Sequence, residues 1–112
     1  MTGETFSYGT GKSLPLPVGF LQESRSLIFK DIRSRKISLC ERGGKTLVKL
    51  TFEGFPNLIL WREGAGKFIC IEPWTNLPDY FGVPQAEFSK KEGVVEVAPK
   101  SEKTMTRIIE YV

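Results

Sequence analysis

Apolar residues recur at every second position over much of this chain. From Thr46 to Glu53, Val48, Leu50 and Phe52 fall on one side and Lys49, Thr51 and Glu53 on the other. That period of two predicts a half-buried strand. Lys36 to Glu41 alternates in the same way, with Ile37 and Leu39 on one face. Arg42-Gly43-Gly44-Lys45 between the two runs predicts a hairpin turn, because paired glycines supply the positive φ such turns need. Gly54-Phe55-Pro56-Asn57 predicts a second turn, and Asn57 to Trp61 the next strand. Ser26-Leu27-Ile28-Phe29 is a short apolar run that predicts a strand before the first hairpin.

Downstream, Arg62 to Gly66 turns the chain into Lys67–Glu72. Phe68-Ile69-Cys70-Ile71 is apolar throughout, which predicts a buried strand. Pro73 has no N–H for a sheet ladder, so the strand is expected to end there, with Glu72 at its tip. Residues 75–92 contain four turn formers, Asn76, Pro78, Gly82 and Pro84, and read as a long loop of functional or lid type. Ser89-Lys90-Lys91-Glu92 predicts a turn of helix. Gly93 to Val97 predicts a strand, Pro99 to Glu102 a turn, and Thr104 to Val112 a last alternating strand. In that strand Met105, Ile109 and Tyr111 lie opposite Thr106, Ile108 and Glu110. Some six or seven strands, spaced by about 8–12 residues with no long helix, predict an all-β antiparallel sandwich. Residues 1–19 are rich in Gly, Ser, Thr and Pro and read as an irregular lead-in, with residues 20–112 forming the sandwich domain.

A chain of 112 residues bounds this to one domain. No apolar stretch is long enough for a membrane helix. Met1 to Ser13 has no apolar core of signal-peptide type, so the expected location is cytoplasmic. The net charge of +3 is scattered and points to neither nucleic acid nor membrane as a partner. Its densest basic run, Arg33-Ser34-Arg35-Lys36, reads as a solvated loop, with a phosphate site as the alternative. Gly9-Thr10-Gly11-Lys12-Ser13 resembles the end of a phosphate loop, but Phe6 stands where the first glycine belongs. Cys40 and Cys70 lie in apolar runs and read as lone buried thiols, with a disulfide between them left open. There is no CxxC pair and no histidine, so a zinc site is not expected. The absence of histidine also removes the usual acid or base near neutral pH.

Glu72 is the candidate for chemistry. A carboxylate where the core meets a cleft is partly desolvated, which raises its pKa and suits it to accept a proton near neutral pH. Trp74, two residues on, offers a flat apolar face. Together they suit a neutral, hydroxyl-rich ligand such as a sugar. The competing reading makes Glu72 a solvated rim residue or half of an ion pair. Trp61, Trp74 and Phe81 are candidates to stack on a pyranose ring, with core packing the alternative for Trp61.

The run Phe68-Ile69-Cys70-Ile71-Glu72-Pro73-Trp74-Thr75-Asn76-Leu77-Pro78-Asp79 resembles the C-terminal part of the aldose 1-epimerase, or galactose mutarotase-like, family. It is most similar to the LacX-type bacterial branch, in which Cys-Ile-Glu-Pro-Trp is followed by a glycine and then an aspartate. Leu27 to Lys30 with Ser34-Arg35, Gly54-Phe55-Pro56 with Leu60-Trp61, Lys91-Glu92-Gly93, the Pro99 turn and the final strand agree in order. The resemblance covers residues 14–112.

The resemblance implies a portion of a large β-sandwich that interconverts the α and β anomers of an aldose sugar. It implies that no metal or organic cofactor is used. In such a mechanism a glutamate takes the proton from the C1 hydroxyl and a histidine protonates the ring oxygen. Glu72 matches the base, and Trp74 and Asp79 lie in the loop beside the sugar. Three departures stand out. The chain has no histidine. Arg25 stands where a substrate-contacting aspartate is expected. Asn76 replaces the usual glycine after the tryptophan. The expectation is therefore a C-terminal fragment of an isomerase, inactive alone, that associates with itself through uncovered sheet surface. The alternatives are a carbohydrate-binding sandwich without turnover, and an interaction domain that pairs through its sheet edges.

Overall fold

The computed structural model describes residues 13–16, 26–63, 66–79 and 87–112. Among them six strands form two three-stranded antiparallel sheets. The strands are β1 (Leu27–Phe29), β2 (Lys36–Cys40), β3 (Thr46–Glu53), β4 (Asn57–Trp61), β5 (Cys70–Trp74) and β6 (Thr106–Tyr111). The first sheet has the order β1-β4-β5 and the second β2-β3-β6. The single described helix is a 3-10 turn at Phe88–Lys90, one residue earlier than the sequence suggests. The fold is all-β, as the alternation predicts. No helix among the described residues is long and apolar enough to cross a membrane.

The turns carry the chemistry their residues imply. Gly44 takes φ 94° in the β2–β3 hairpin, which is closed by Glu41 N–H to Lys45 O at 2.8 Å. Gly54 takes φ 86° and starts the crossing from β3 in one sheet to β4 in the other. Ser101 N–H donates to Ala98 O at 3.2 Å in the expected Pro99 turn.

The core lies between the sheets. Leu50 and Phe52 of β3 meet Leu58 and Leu60 of β4, and Leu27, Phe29, Ile37, Phe55 and Ile71 pack around them. Phe52 and Leu58 are fully enclosed. Each such side chain contributes about 1.5–3 kcal/mol relative to exposure. Leu14, in the lead-in, also packs on this cluster. Arg35 closes one side of it. Its guanidinium donates to Phe55 O at 2.7 Å and to Ile32 O, and stands 5.4 Å from the Phe52 ring centroid. The basic run therefore includes a residue committed to holding a loop and an aromatic ring, not a phosphate.

Five expectations are corrected. Pro73 does not end β5: it is the register partner of Leu58, and Trp74 that of Asn57. β5 is an edge strand among the described residues, and an edge tolerates proline because one side bonds no neighbour. Glu72 is thus the middle of the strand and not its tip. The strand also starts later than expected, at Cys70, leaving Phe68 48% exposed. Gly93 to Val97 forms no strand; Gly93 takes φ 79° and packs on another loop. Cys40 is exposed at the end of β2, beside a register shift, and both cysteines are free.

The second sheet is less well covered. Every residue of β6 is exposed, and among the described residues β6 pairs with β3 alone. Its inward residues Ile109 and Tyr111, with Leu39 and Val48, face Ile69 and Ile71 across a cleft of about 230 Å³.

Candidate functional site

Strand alternation sorts the first sheet into two faces. Leu58, Leu60, Ile71 and Pro73 point to the core. Asn57, Ile59 and Trp61 of β4 share the opposite face with Trp74, Glu72 and Cys70, their respective register partners on β5. Ile28 of β1 continues this row beside Ile59. Ile59 and Leu77 are both buried, although neither belongs to the cluster between the sheets. Glu72 therefore stands on an apolar face, cross-strand from a buried isoleucine.

Glu72 and Trp74 are joined. The Trp74 Nε1–H donates to Glu72 Oε2 at 3.1 Å, and both side chains are half-buried. Residues two apart on a strand point the same way, so the pleat puts both side chains on one face. Among the described residues Oε1 of Glu72 takes no hydrogen bond and is left to accept one. A carboxylate held by an indole donor, with a second oxygen open and flat aromatic surface alongside, can accept a proton or bind a hydroxyl.

Trp61 lies further along the same face, half-buried, with its ring 6.1 Å from that of Phe68 at a tilt of 56°. It is not part of the core between the sheets. Asp79 is paired with Lys91 at 2.8 Å and is partly exposed. Arg25 and Phe81 lie outside the described residues. The structure thus joins Glu72 directly to Trp74 and puts Trp61 on their face, while Asp79 lies in the segment that follows.

Asn57 escaped the sequence reading, which treats it as a turn residue. It is the buried polar side chain of the described chain, 3% exposed. Its amide grips the segment after Trp74, donating to Thr75 O at 3.1 Å and Asn76 O at 3.3 Å. The available signal was an asparagine opening a strand otherwise made of apolar residues.

No group of three or more His, Cys, Asp or Glu residues among the described ones is arranged to hold a metal ion.

No protein-family model matches the chain, and no solved structure matches it significantly. Over 67 residues, 59% of the chain, it is 33% identical to "Protein LacX, chromosomal" of Lactococcus lactis subsp. lactis. It is equally similar to "Protein LacX, plasmid" of the same organism. The matched stretch is 22% of each relative's length, so the chain spans only about a fifth of the curated proteins it matches. Part of this chain is thus similar to the LacX proteins of a lactic bacterium.

Proposed function

We propose that this chain carries the base-bearing part of a carbohydrate site of the aldose 1-epimerase type. The observation that carries the reading is the Glu72–Trp74 pair: a carboxylate with one oxygen held by an indole N–H and, among the described residues, the other open, on a sheet face with aromatic surface. The partial similarity to LacX proteins supports it, as do the Cys-Ile-Glu-Pro-Trp run and Asp79. In this reading Glu72 takes the proton from the anomeric hydroxyl of an aldose, and Trp74 lies against the less polar face of the ring. Asp79 borders the bound sugar, and Arg25 is a further contact. A sandwich larger than this chain and a cytoplasmic location belong to the same reading.

Ring opening needs an acid at the ring oxygen as well as a base. The chain has no histidine to serve as that acid. That same absence favours one second reading, a site that binds sugar without turning it over.

Polarimetry on fresh α-galactose and α-glucose tests the reading. The chain alone is expected to leave the rate at that of buffer. In a longer protein containing this segment, Glu72→Gln is expected to lower turnover by about 10²–10⁴-fold, the usual weight of a general base. Near-normal turnover in that variant would make Glu72 a structural carboxylate.

A further inference from the structure

Asn57 stands at the start of β4, directly across from Trp74 on β5. Its side chain bonds two loops distant in sequence. Oδ1 accepts the N–H of Asp31 at 3.0 Å, and Nδ2 donates to the carbonyls of Thr75 and Asn76. Only an amide does both jobs: an aspartate would offer acceptors where donors are needed, and an alanine neither.

The segment leaving Trp74 is also gripped from the other side. Gly93 lies so close to it that a Cβ there would stand 2.4 Å from Thr75 O and 2.7 Å from the Asn76 Cα. Lys91 pairs with Asp79, and Glu92 pairs with Lys30, the neighbour of Asp31. The contacts therefore close a ring: Asp31 to Asn57, Asn57 to Thr75 and Asn76, those to Gly93, and Glu92 back to Lys30. Trp74 is where this ring joins the sheet.

We propose that Asn57 is the positioning residue of the Glu72–Trp74 site, an inference that rests on the carbohydrate reading. It touches no reacting atom. It fixes the path of the chain out of Trp74, and thereby both the placing of the indole against Glu72 and that of Asp79 beyond it. Buried hydrogen bonds suit this role because leaving either partner unpaired is costly.

The test follows the Trp74 indole N–H by NMR in a Trp61→Phe chain, where it is the one indole signal. Asn57→Asp keeps the size and removes the donors. Its Trp74 signal is expected to move, and its hydrogen exchange to quicken by about tenfold, the scale of one or two lost buried hydrogen bonds. The amides of Leu50 and Phe52 are expected to stay protected. Asn57→Ala removes the same donors without burying a charge and is expected to move the same signal; it decides the matter if Asn57→Asp does not fold. A variant that lowers Tm yet leaves the Trp74 signal in place would overturn the proposal, because Asn57 would then serve stability alone. A parent chain whose Trp74 signal ignores both galactose and glucose would overturn the carbohydrate reading and not the role of Asn57, which the variants decide.

Discussion

The indole N–H of Trp74 is bonded to the carboxylate of Glu72 at 3.1 Å, two residues back along one edge strand. The pleat puts both side chains on one face, and the contacts of Asn57 with the segment leaving Trp74 hold the indole in place against the carboxylate. Glu72→Ala leaves the half-buried indole donor without its acceptor. A cost of about 1–3 kcal/mol is expected, while Glu72→Gln, which keeps an oxygen in place, should cost well under half of that. Urea denaturation of both variants checks this. Equal costs would mean that the bond does not contribute.

The core makes a separate prediction. Phe52 is fully enclosed between β3 and β4, and Leu58 faces it from the other sheet. Phe52→Ala is expected to destabilise by about 3–5 kcal/mol and Leu58→Ala by about 2–5 kcal/mol. Thermal unfolding followed by circular dichroism reads both. A loss below about 1 kcal/mol for either would show that the sheets do not close on each other there.

Arg35 reads from sequence as part of a solvated basic run, yet its guanidinium bonds the Phe55 and Ile32 carbonyls over the Phe52 ring. Arg35→Lys is therefore expected to behave like Arg35→Ala, since an ammonium cannot reproduce a planar fork stacked on a ring. A loss of about 1–2 kcal/mol is expected for both. Full rescue by lysine would return the residue to the role of a surface charge.

How legible these features were follows from how local their causes are. β3 and β4 could be bounded to the residue because Gly44 and Gly54 punctuate them and their apolar pattern is strong. β5 was misjudged at both ends. Whether Pro73 stops a strand depends on being at an edge, which the neighbours decide. The strand expected from Gly93 to Val97 failed for a related reason: Gly93 is used for a close approach to Thr75, a contact made across the fold. Glu72 and Trp74 were legible as a pair because a period of two is local. Asn57 was not, because its partners Asp31, Thr75 and Asn76 are brought to it only by the sheet.

The exposed edge carries a prediction about association. β6 presents Ile109 at 56% and Tyr111 at 81% exposure beside an open apolar cleft. Unpaired edges template pairing, and uncovered apolar surface promotes it. The chain is expected to associate with itself, and Ile109→Lys to shift it toward monomer, since an edge lysine opposes strand addition. Light scattering after gel filtration decides. A monomer at high concentration in the unmodified chain would show that β6 needs no cover.

The central claim is that the face bearing Glu72 and Trp74 receives a sugar. The chain has two tryptophans, so Trp61→Phe leaves Trp74 as its one indole reporter. Its emission, titrated with galactose and glucose against glycerol as a control polyol, tests the claim most directly. The account predicts a saturable change for at least one sugar with a Kd of about 1–10 mM, near −3 to −4 kcal/mol. It also predicts that Glu72→Ala abolishes the change. A linear response that glycerol reproduces and that Glu72→Ala leaves intact would contradict it.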